Sequence, residues 1–341
     1  MYLGILVLFT NLINSYIDNH ESIELWMKFK VDYNRSYETT REEEIRKEIF
    51  MDNLRKMLSH NLKQSAGLYS FKFGINQFSD MTFEEFLKIN TEPGSRDKSL
   101  EQNFNAIVIH DLTSDPSNYT SFDWRDHGAV TSIKNQGYKC GSCYAFASIA
   151  AIESHIFLKT GKLLDLSEQE IVDCAQGYFT AGCYGGYEIG ALNYIQNNGD
   201  ITFEESYPYK GIQEKCLRSV NGTDLSKIKI TIKQISQPPR ENEEELKNAL
   251  VKYGPIIISI DHLHESFMRY SSGVYHESDC KKQFSHAALL VGYGSENGKD
   301  YWLVKNSFGT TWGENGYFRI ARNRKNNCEI ATEPVIISSE D

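Results

Sequence analysis

Cys143 stands in a sequence context that favours a reactive thiol. It follows Gly141 and Ser142 and opens an apolar run, 143–159, whose many small residues predict a central, buried helix. A thiol in the first turn of a helix lies at the positive end of the helix dipole, which favours the thiolate. A cysteine nucleophile also needs a base, and the base needs a group that orients it.

Two downstream segments contain residues of those types. His286 begins a predicted strand 143 residues after Cys143, and Asn306 follows 163 residues after it. Asparagine is common in turns, so Asn306 alone would be unremarkable. The segment 307–313 that follows it contains a serine, glycines and a tryptophan, and this context makes the motif around Asn306 specific. The three residue types together fit a cysteine nucleophile with a base and an orienting group.

The spacing of Cys140 and Cys143 also fits a redox dithiol or half of a zinc site. A zinc ribbon needs a second such pair or suitably spaced histidines, and the sequence contains neither. A thioredoxin-like unit expects a strand immediately before the pair, which the flanking residues do not predict. The nucleophile interpretation is therefore favoured.

Composition sets the wider limits. The chain has 341 residues, 40% of them hydrophobic, and a net charge of −10. It is long enough for about two domains, and its composition excludes collagen, a coiled coil or a mostly disordered chain. The acidic balance argues against nucleic acid as a partner. No apolar run is long enough for a membrane span. Seven cysteines are an odd number, so pairing leaves one over.

The N-terminus predicts entry into the secretory pathway. Residues 3–9 are apolar, and the uncharged stretch ends at Ile17, which is typical of a signal peptide, here 1–17. A buried N-terminal strand is the alternative interpretation. Three glycosylation sequons, at Asn34, Asn118 and Asn221, fit the secretory route.

The pattern of elements changes along the chain. Residues 21–65 predict amphipathic helices, 69–74 a short strand and 82–88 another helix, and 91–120 predicts an exposed, cleavable linker.

The C-terminal part predicts a helical half followed by a β-rich half. Ser142 is expected to cap the helix at 143–159 and Gly161 to end it. Ser167 and Glu170 form a capping box for a second helix through Cys174. The predicted strands are 228–235, 255–260, 287–293, 301–305 and 317–320.

These motifs resemble those of papain-family cysteine peptidases of the cathepsin L type, over residues from about 118 to 341. A local cysteine signature with histidine and asparagine about 130–150 residues downstream describes that family. The preceding segment resembles the family's inhibitory propeptide. Its helical motif is matched by Glu42, Arg46, Phe50, Asn53 and Asn61, with Met57 in place of isoleucine, and its second motif by Gly74, Asn76, Phe78 and Asp80.

The resemblance implies an α+β fold of two lobes, a helical left lobe and a β-barrel right lobe, behind a helical inhibitory prodomain. The implied division is a signal peptide 1–17, a propeptide and linker 18–117, and a peptidase domain 118–341. Cys143 would be the nucleophile and His286 its base, oriented by Asn306. Gln136 would bind the oxyanion together with the backbone N–H of Cys143. No metal or organic cofactor is expected.

The resemblance also implies disulfides and a substrate cleft. The implied pairs are Cys140–Cys183, Cys174–Cys216 and Cys280–Cys328. Gly185 and Gly186 would pair with the substrate backbone. Glu333 is expected to form the floor of the second subsite and to accept arginine or lysine as well as apolar residues. The other implied substrate-binding residues are Tyr187, Glu188, Ser259, Phe284, Ala287 and Trp312.

Three departures from the family pattern stand out. An extra residue at 138–139 separates Gln136 from Cys143, so the loop either bulges outward or misplaces the oxyanion donor. Tyr144 and Phe308 stand where the family usually has tryptophan. The extra residue keeps a second hypothesis open, a catalytically impaired homologue that acts as a binding protein.

The expected biology is that of a secreted or lysosomal zymogen, a monomer. Its partners would be protein and peptide substrates, its own propeptide and cystatin-type inhibitors. Acid would trigger release by protonating carboxylates such as Asp80 and those at 42–44, with cleavage giving a mature chain that starts near Asn118.

Overall fold

A computed structural model describes residues 20–91, 107–109, 119–220, 222–280 and 285–338. The predicted signal peptide, most of the predicted linker, the sequons at Asn118 and Asn221, and Phe284 lie outside these ranges. The helices are α1 (His20–Asp32), α2 (Thr40–Ser65), α3 (Phe83–Thr91), α4 (Cys143–Thr160), α5 (Glu168–Cys174), α6 (Glu188–Asn198), α7 (Glu243–Tyr253) and α8 (Glu265–Met268). The strands are β1 (Phe71–Phe73), β2 (Ile107–Val108), β3 (Phe122–Asp123), β4 (Asp200–Thr202), β5 (Lys227–Lys229), β6 (Gln234–Gln237), β7 (Ile256–Ile260), β8 (Tyr270–Tyr275), β9 (His286–Glu296), β10 (Lys299–Lys305), β11 (Tyr317–Ala321) and β12 (Ile336–Ser338).

The N-terminal helices form a small unit with its own aromatic core. Trp26 and Phe29 of α1 pack on Phe50 and Leu54 of α2, and all four are buried. The helix predicted from Thr82 begins one residue later. Thr82 is its cap, since its hydroxyl accepts from the Glu85 N–H at 3.1 Å and the Glu85 carboxylate accepts from the Thr82 N–H at 2.8 Å.

The left lobe is built around α4, which is buried along most of its length. Gly161 ends the helix in the left-handed conformation, as predicted. Ser142 is the N-cap residue of α4, as predicted, but its side chain makes no capping hydrogen bond. The Ser142 hydroxyl instead bonds the Tyr209 hydroxyl at 2.7 Å. Ser167 does cap α5, accepting from the Glu170 N–H at 3.0 Å.

The right lobe is a twisted sheet with strand order β1-β8-β11-β10-β9-β3, in which β7 also pairs with β9. Strand β1 belongs to the N-terminal helical unit, so this unit adds a strand to the lobe. The register pairs Phe71 with Gly273. Gly273 has a φ of 91°, and a Cβ there would lie 2.5 Å from the Ser70 carbonyl oxygen. A side chain would therefore prevent this close approach.

The single strand predicted at 228–235 is wrong. The structure has two strands there, β5 and β6, which pair with β4 and β12 in different sheets. The chain must turn between them, and an apolar alternation alone does not show that turn. Strand β9 runs to Glu296, beyond its predicted end, because it forms a hairpin with β10. Among the described residues, no helix combines the length and apolar character needed to cross a membrane.

Candidate active site

Cys143 is the first residue of α4 and is partly exposed. All seven cysteines lie in the described ranges, and the other six form disulfides, which are Cys140–Cys183, Cys174–Cys216 and Cys280–Cys328. These are the pairs implied by the family resemblance. Because Cys140 is bonded to Cys183, it is not the redox partner of Cys143. The thiol left over is thus the one at the positive end of a buried helix.

His286 and Asn306 are brought together by a hairpin. His286 begins β9, and Asn306 directly follows β10, whose last residue, Lys305, pairs with Leu289. This register makes His286 and Asn306 diagonal neighbours on one face. The His286 Nε2 lies 2.7 Å from the Asn306 Oδ1, and both residues are buried. An amide oxygen only accepts, so Nε2 carries a proton, and any proton exchanged with a thiol uses Nδ1.

Phe308 covers this pair. Its ring centroid lies 4.9 Å from that of His286, and only 2% of its surface is exposed. Beneath it, the buried Trp312 ring lies 5.3 Å away. In the described form, in which Phe78 packs on Phe308, phenylalanine at this position still keeps water from the hydrogen bond between the histidine and the asparagine.

Gln136 is buried between the two lobes. Its backbone N–H donates to the Ser307 carbonyl at 2.8 Å, and its Oε1 accepts from the Ser307 hydroxyl at 2.6 Å. Its Nε2 donates to the Cys140 carbonyl at 3.3 Å. The extra residue does not expose Gln136, because residues 137–139 project into solvent while Gln136 and Cys140 stay buried.

The implied second-subsite residues come from four segments. Ser259 donates to the Glu188 carboxylate at 2.8 Å, and Ser259 is paired with Ala287 across β7 and β9. Tyr187 precedes α6 and is buried. Glu333 is partly buried, and its carboxylate lies 3.5 Å from the Arg240 guanidinium. Glycines 185 and 186 adjoin this set, and Phe284 is outside the described residues.

Two residues near the site have roles that the sequence did not indicate. One is Ser307, which holds the Gln136 amide; its position next to Asn306 was the available signal. The other is His262, whose ring centroid lies 4.7 Å from that of His286. Burial, together with the positive charge of His286, lowers the pKa of His262 well below its usual value. No sequence pattern indicated His262, because the pairing of β7 with β9 decides its place.

One group of potential metal ligands occurs in the described part of the chain. The donor atoms of Asp261, His264 and Cys280 lie within 4.8 Å of one another. The Cys280 sulfur is bonded to Cys328 and cannot act as a thiolate ligand. Two donors remain, fewer than a structural zinc site requires.

The N-terminal helical unit reaches directly over the site. The Gln77 side-chain amide donates to the Phe308 carbonyl at 2.6 Å, and the Phe78 ring lies 5.3 Å from the Phe308 ring. Farther along, the Asn76 amide donates to the Met268 carbonyl at 2.9 Å. In the described form, the N-terminal unit therefore packs on Phe308, the residue that covers the His286–Asn306 pair.

The Asn306 contact predicts the protonation of His286. In the wild-type chain Nε2 should be protonated in both the neutral and the charged ring. In Asn306→Ala the acceptor is gone, and neutral His286 should become a mixture of tautomers. Nitrogen NMR of histidine-labelled protein, assigned with His286→Gln, measures this, and Asn197→Ala, at an exposed position of α6, is the control. A wild-type spectrum with the proton on Nδ1 would contradict the assignment.

Comparison with known proteins identifies both the N-terminal helical unit and the two-lobed remainder of the chain. Residues 119–338 match the papain family cysteine protease model, and 26–86 match the cathepsin propeptide inhibitor domain. The chain is 42% identical to a cathepsin L-like peptidase of Aedes aegypti and to cathepsin L of Sarcophaga peregrina, each comparison covering 91% of both proteins. The structure of digestive procathepsin L 3 from Tenebrio molitor, 35% identical, superposes with a TM-score of 0.83 over 94% of this chain and 100% of that one. The chain belongs to the papain family of cysteine peptidases, as a cathepsin L-like endopeptidase that carries its own inhibitory propeptide.

Proposed function

We propose that Cys143, His286, Asn306 and Gln136 carry out peptide hydrolysis. The Cys143 thiolate attacks the scissile carbonyl carbon and forms a tetrahedral intermediate. Its oxyanion is bound by the Cys143 backbone N–H and by Gln136 Nε2, which exchanges its long bond to the Cys140 carbonyl for the new charge. The observation that carries this proposal is the His286–Asn306 contact at 2.7 Å, which orients the ring.

His286 then completes the two halves of the reaction. Its Nδ1 proton passes to the leaving amine as the carbon–nitrogen bond breaks, and the acyl group stays on Cys143 as a thioester. His286 next takes a proton from water, which attacks the thioester and releases the acid and the thiolate. Asn306 acts as a positioning residue throughout, because it holds the ring without exchanging a proton.

The N-terminal unit acts as the inhibitor in this proposal. Residues 1–17 form a signal peptide, 18–117 the propeptide and linker, and 118–341 the mature peptidase. The protein follows the secretory pathway to a lysosome or the extracellular space and works as a monomer on protein and peptide substrates. Cystatin-type inhibitors bind the same cleft.

The first test compares the full-length chain with its Cys143→Ala variant after acidification. The wild type should yield a shortened chain that starts near residue 118 and hydrolyses a fluorogenic peptide. The variant should stay intact, because it has no nucleophile for self-cleavage. Mass spectrometry and fluorescence measure the two results. An intact, inactive wild type that an active relative also fails to mature would instead favour the binding-protein hypothesis.

Acid release of the propeptide rests partly on Glu85. Its carboxylate pairs with Arg46 at 2.8 Å and accepts the Thr82 N–H. Burial acts to raise the pKa of Glu85, but these bonds outweigh it and leave the pKa lowered. A lowered pKa means that the pair stabilises the fold above the ordinary carboxyl pKa and is lost as the pH falls below it.

Glu85→Gln should therefore mature faster than wild type at about pH 6, where the wild-type pair is still charged. A partly exposed pair contributes about 0.5–1 kcal/mol, which predicts a rate roughly 2- to 5-fold higher. The rate of propeptide loss on gels measures the effect. Glu84→Gln, on the exposed side of the same helical turn, is the control. Equal rates for both variants and the wild type would exclude a role for Glu85.

The second subsite follows from Glu333 and Glu188. Glu188 is buried and accepts from the Ser259 hydroxyl, so Glu333 is the partly exposed carboxylate of this proposed subsite. Its charge would favour a basic substrate side chain in the second position before the scissile bond. Arg240 lies 3.5 Å from Glu333 but is 52% exposed, so it competes only weakly for that carboxylate.

Removal of the Glu333 charge and removal of the Arg240 charge should change the preference at the second subsite in opposite directions. Glu333→Gln should lower the ratio of arginine to leucine cleavage at that position about 10-fold, since a charge-assisted hydrogen bond is lost. Arg240→Ala should raise the same ratio, because the competing cation is removed. Values of kcat/KM for paired peptides measure both. Unchanged ratios in the two variants would show that Glu333 does not contact the substrate.

A further inference from the structure

The extra residue in the loop before Cys140 presents an aromatic ring beside the cleft. Gln136 and Cys140 at the loop ends are buried, whereas Gly137, Tyr138 and Lys139 are exposed. The Tyr138 side chain is 41% exposed. The loop is anchored at its start, where the Asn135 side chain accepts from the Gly137 N–H at 2.9 Å. The insertion therefore adds a surface and leaves the oxyanion donor buried.

A propeptide cation occupies that surface. The Arg35 guanidinium lies 5.3 Å from the centroid of the Tyr138 ring, within the range of a cation–π interaction. Arg35 is held there by the Asp80 carboxylate at 3.4 Å and by a hydrogen bond to the Gln77 carbonyl. The Lys139 ammonium lies 5.9 Å from the same ring. The face of Tyr138 is thus already used to bind a guanidinium.

The contact between Arg35 and Tyr138 lies close to the candidate catalytic residues. Asn135, at the start of the loop, forms a β-bridge with Phe308, and Gln77, which Arg35 contacts, is bonded to the Phe308 carbonyl. Phe308 covers His286, the group that gives its proton to the leaving amine in the proposed mechanism. Arg35 and Gln77 therefore lie next to the residue that covers His286, on the side of the site where the proposed mechanism releases the amine.

We propose that Tyr138 forms a cation subsite of the mature enzyme, which binds an arginine or lysine side chain of the leaving peptide after Arg35 has departed. The inference rests on the proposed hydrolytic function. It makes Tyr138 a specificity-determining residue on the leaving-group side of the scissile bond, separate from the pocket that contains Glu333. The extra residue gives this chain a recognition element outside the ordinary family pattern.

The test uses enzyme matured from the full chain, with Tyr138→Leu to remove the ring face and Tyr138→Phe to retain it. Internally quenched peptides carry either arginine or citrulline at the first or second position after the scissile bond. Citrulline has the shape of arginine without its charge. The ratio of the two kcat/KM values is taken within each variant, so differences in active fraction cancel. A coumarin amide, with no residue after the scissile bond, reports the basic reaction of the wild type.

The wild type and Tyr138→Phe should prefer arginine about 2- to 5-fold at one of these positions, as expected for an exposed cation–π contact. In Tyr138→Leu the ratio should fall to about 1. Equal cleavage of both peptides by the wild type, or a preference that survives in Tyr138→Leu, would overturn the subsite while the coumarin amide is still hydrolysed. Failure of the wild type on every substrate would instead overturn the proposed function, and the subsite with it.

Discussion

The hydrogen bonds of Gln136 join the two lobes, and the geometry of the cleft depends on them. The backbone N–H and the side-chain oxygen of Gln136 both bond to Ser307, while its carbonyl accepts from Tyr209 at 2.8 Å. Because these groups are buried, breaking one would leave a polar atom unsatisfied. The segment before Cys143 is consequently held next to Asn306, although the two are far apart in the sequence.

A network of buried charged side chains also connects the two lobes near Gln136. The Lys305 ammonium donates to Thr131 at 2.7 Å, and burial lowers the pKa of Lys305 to about 8. Burial also acts to lower the pKa of Lys134, but Glu168 and Glu153 outweigh it and the pKa is raised. Replacing one member of such a network would leave its partner charged and unpaired in the interior. The network therefore favours one relative placement of the helix α4 and the strand β10.

The propeptide binds the right lobe, including Phe308 beside the candidate active site. Strand β1 extends the right-lobe sheet by pairing with β8, the Asn76 amide donates to the Met268 carbonyl at 2.9 Å, and the Gln77 amide donates to the Phe308 carbonyl. Most of these contacts involve backbone groups, so they depend on the backbone conformation and less on the identity of side chains. In the proposed acid release, carboxylates such as Glu85 supply the pH dependence. In this proposal, inhibition and its release arise from different kinds of interaction made by one small helical unit.

Much of this molecule could be predicted from its sequence. Local motifs predicted the order of Cys143, His286 and Asn306, the helix end at Gly161 and the family of the chain. They could do so because each of these features depends on residues that are close in the sequence. Tertiary structure decided three other features. These are the hydrogen bond of Ser142, the break within 228–235 and the placement of His262 beside His286. Each depends on which distant segment packs against it, such as Tyr209 on Ser142, and a single sequence without its neighbours in space carries no such information.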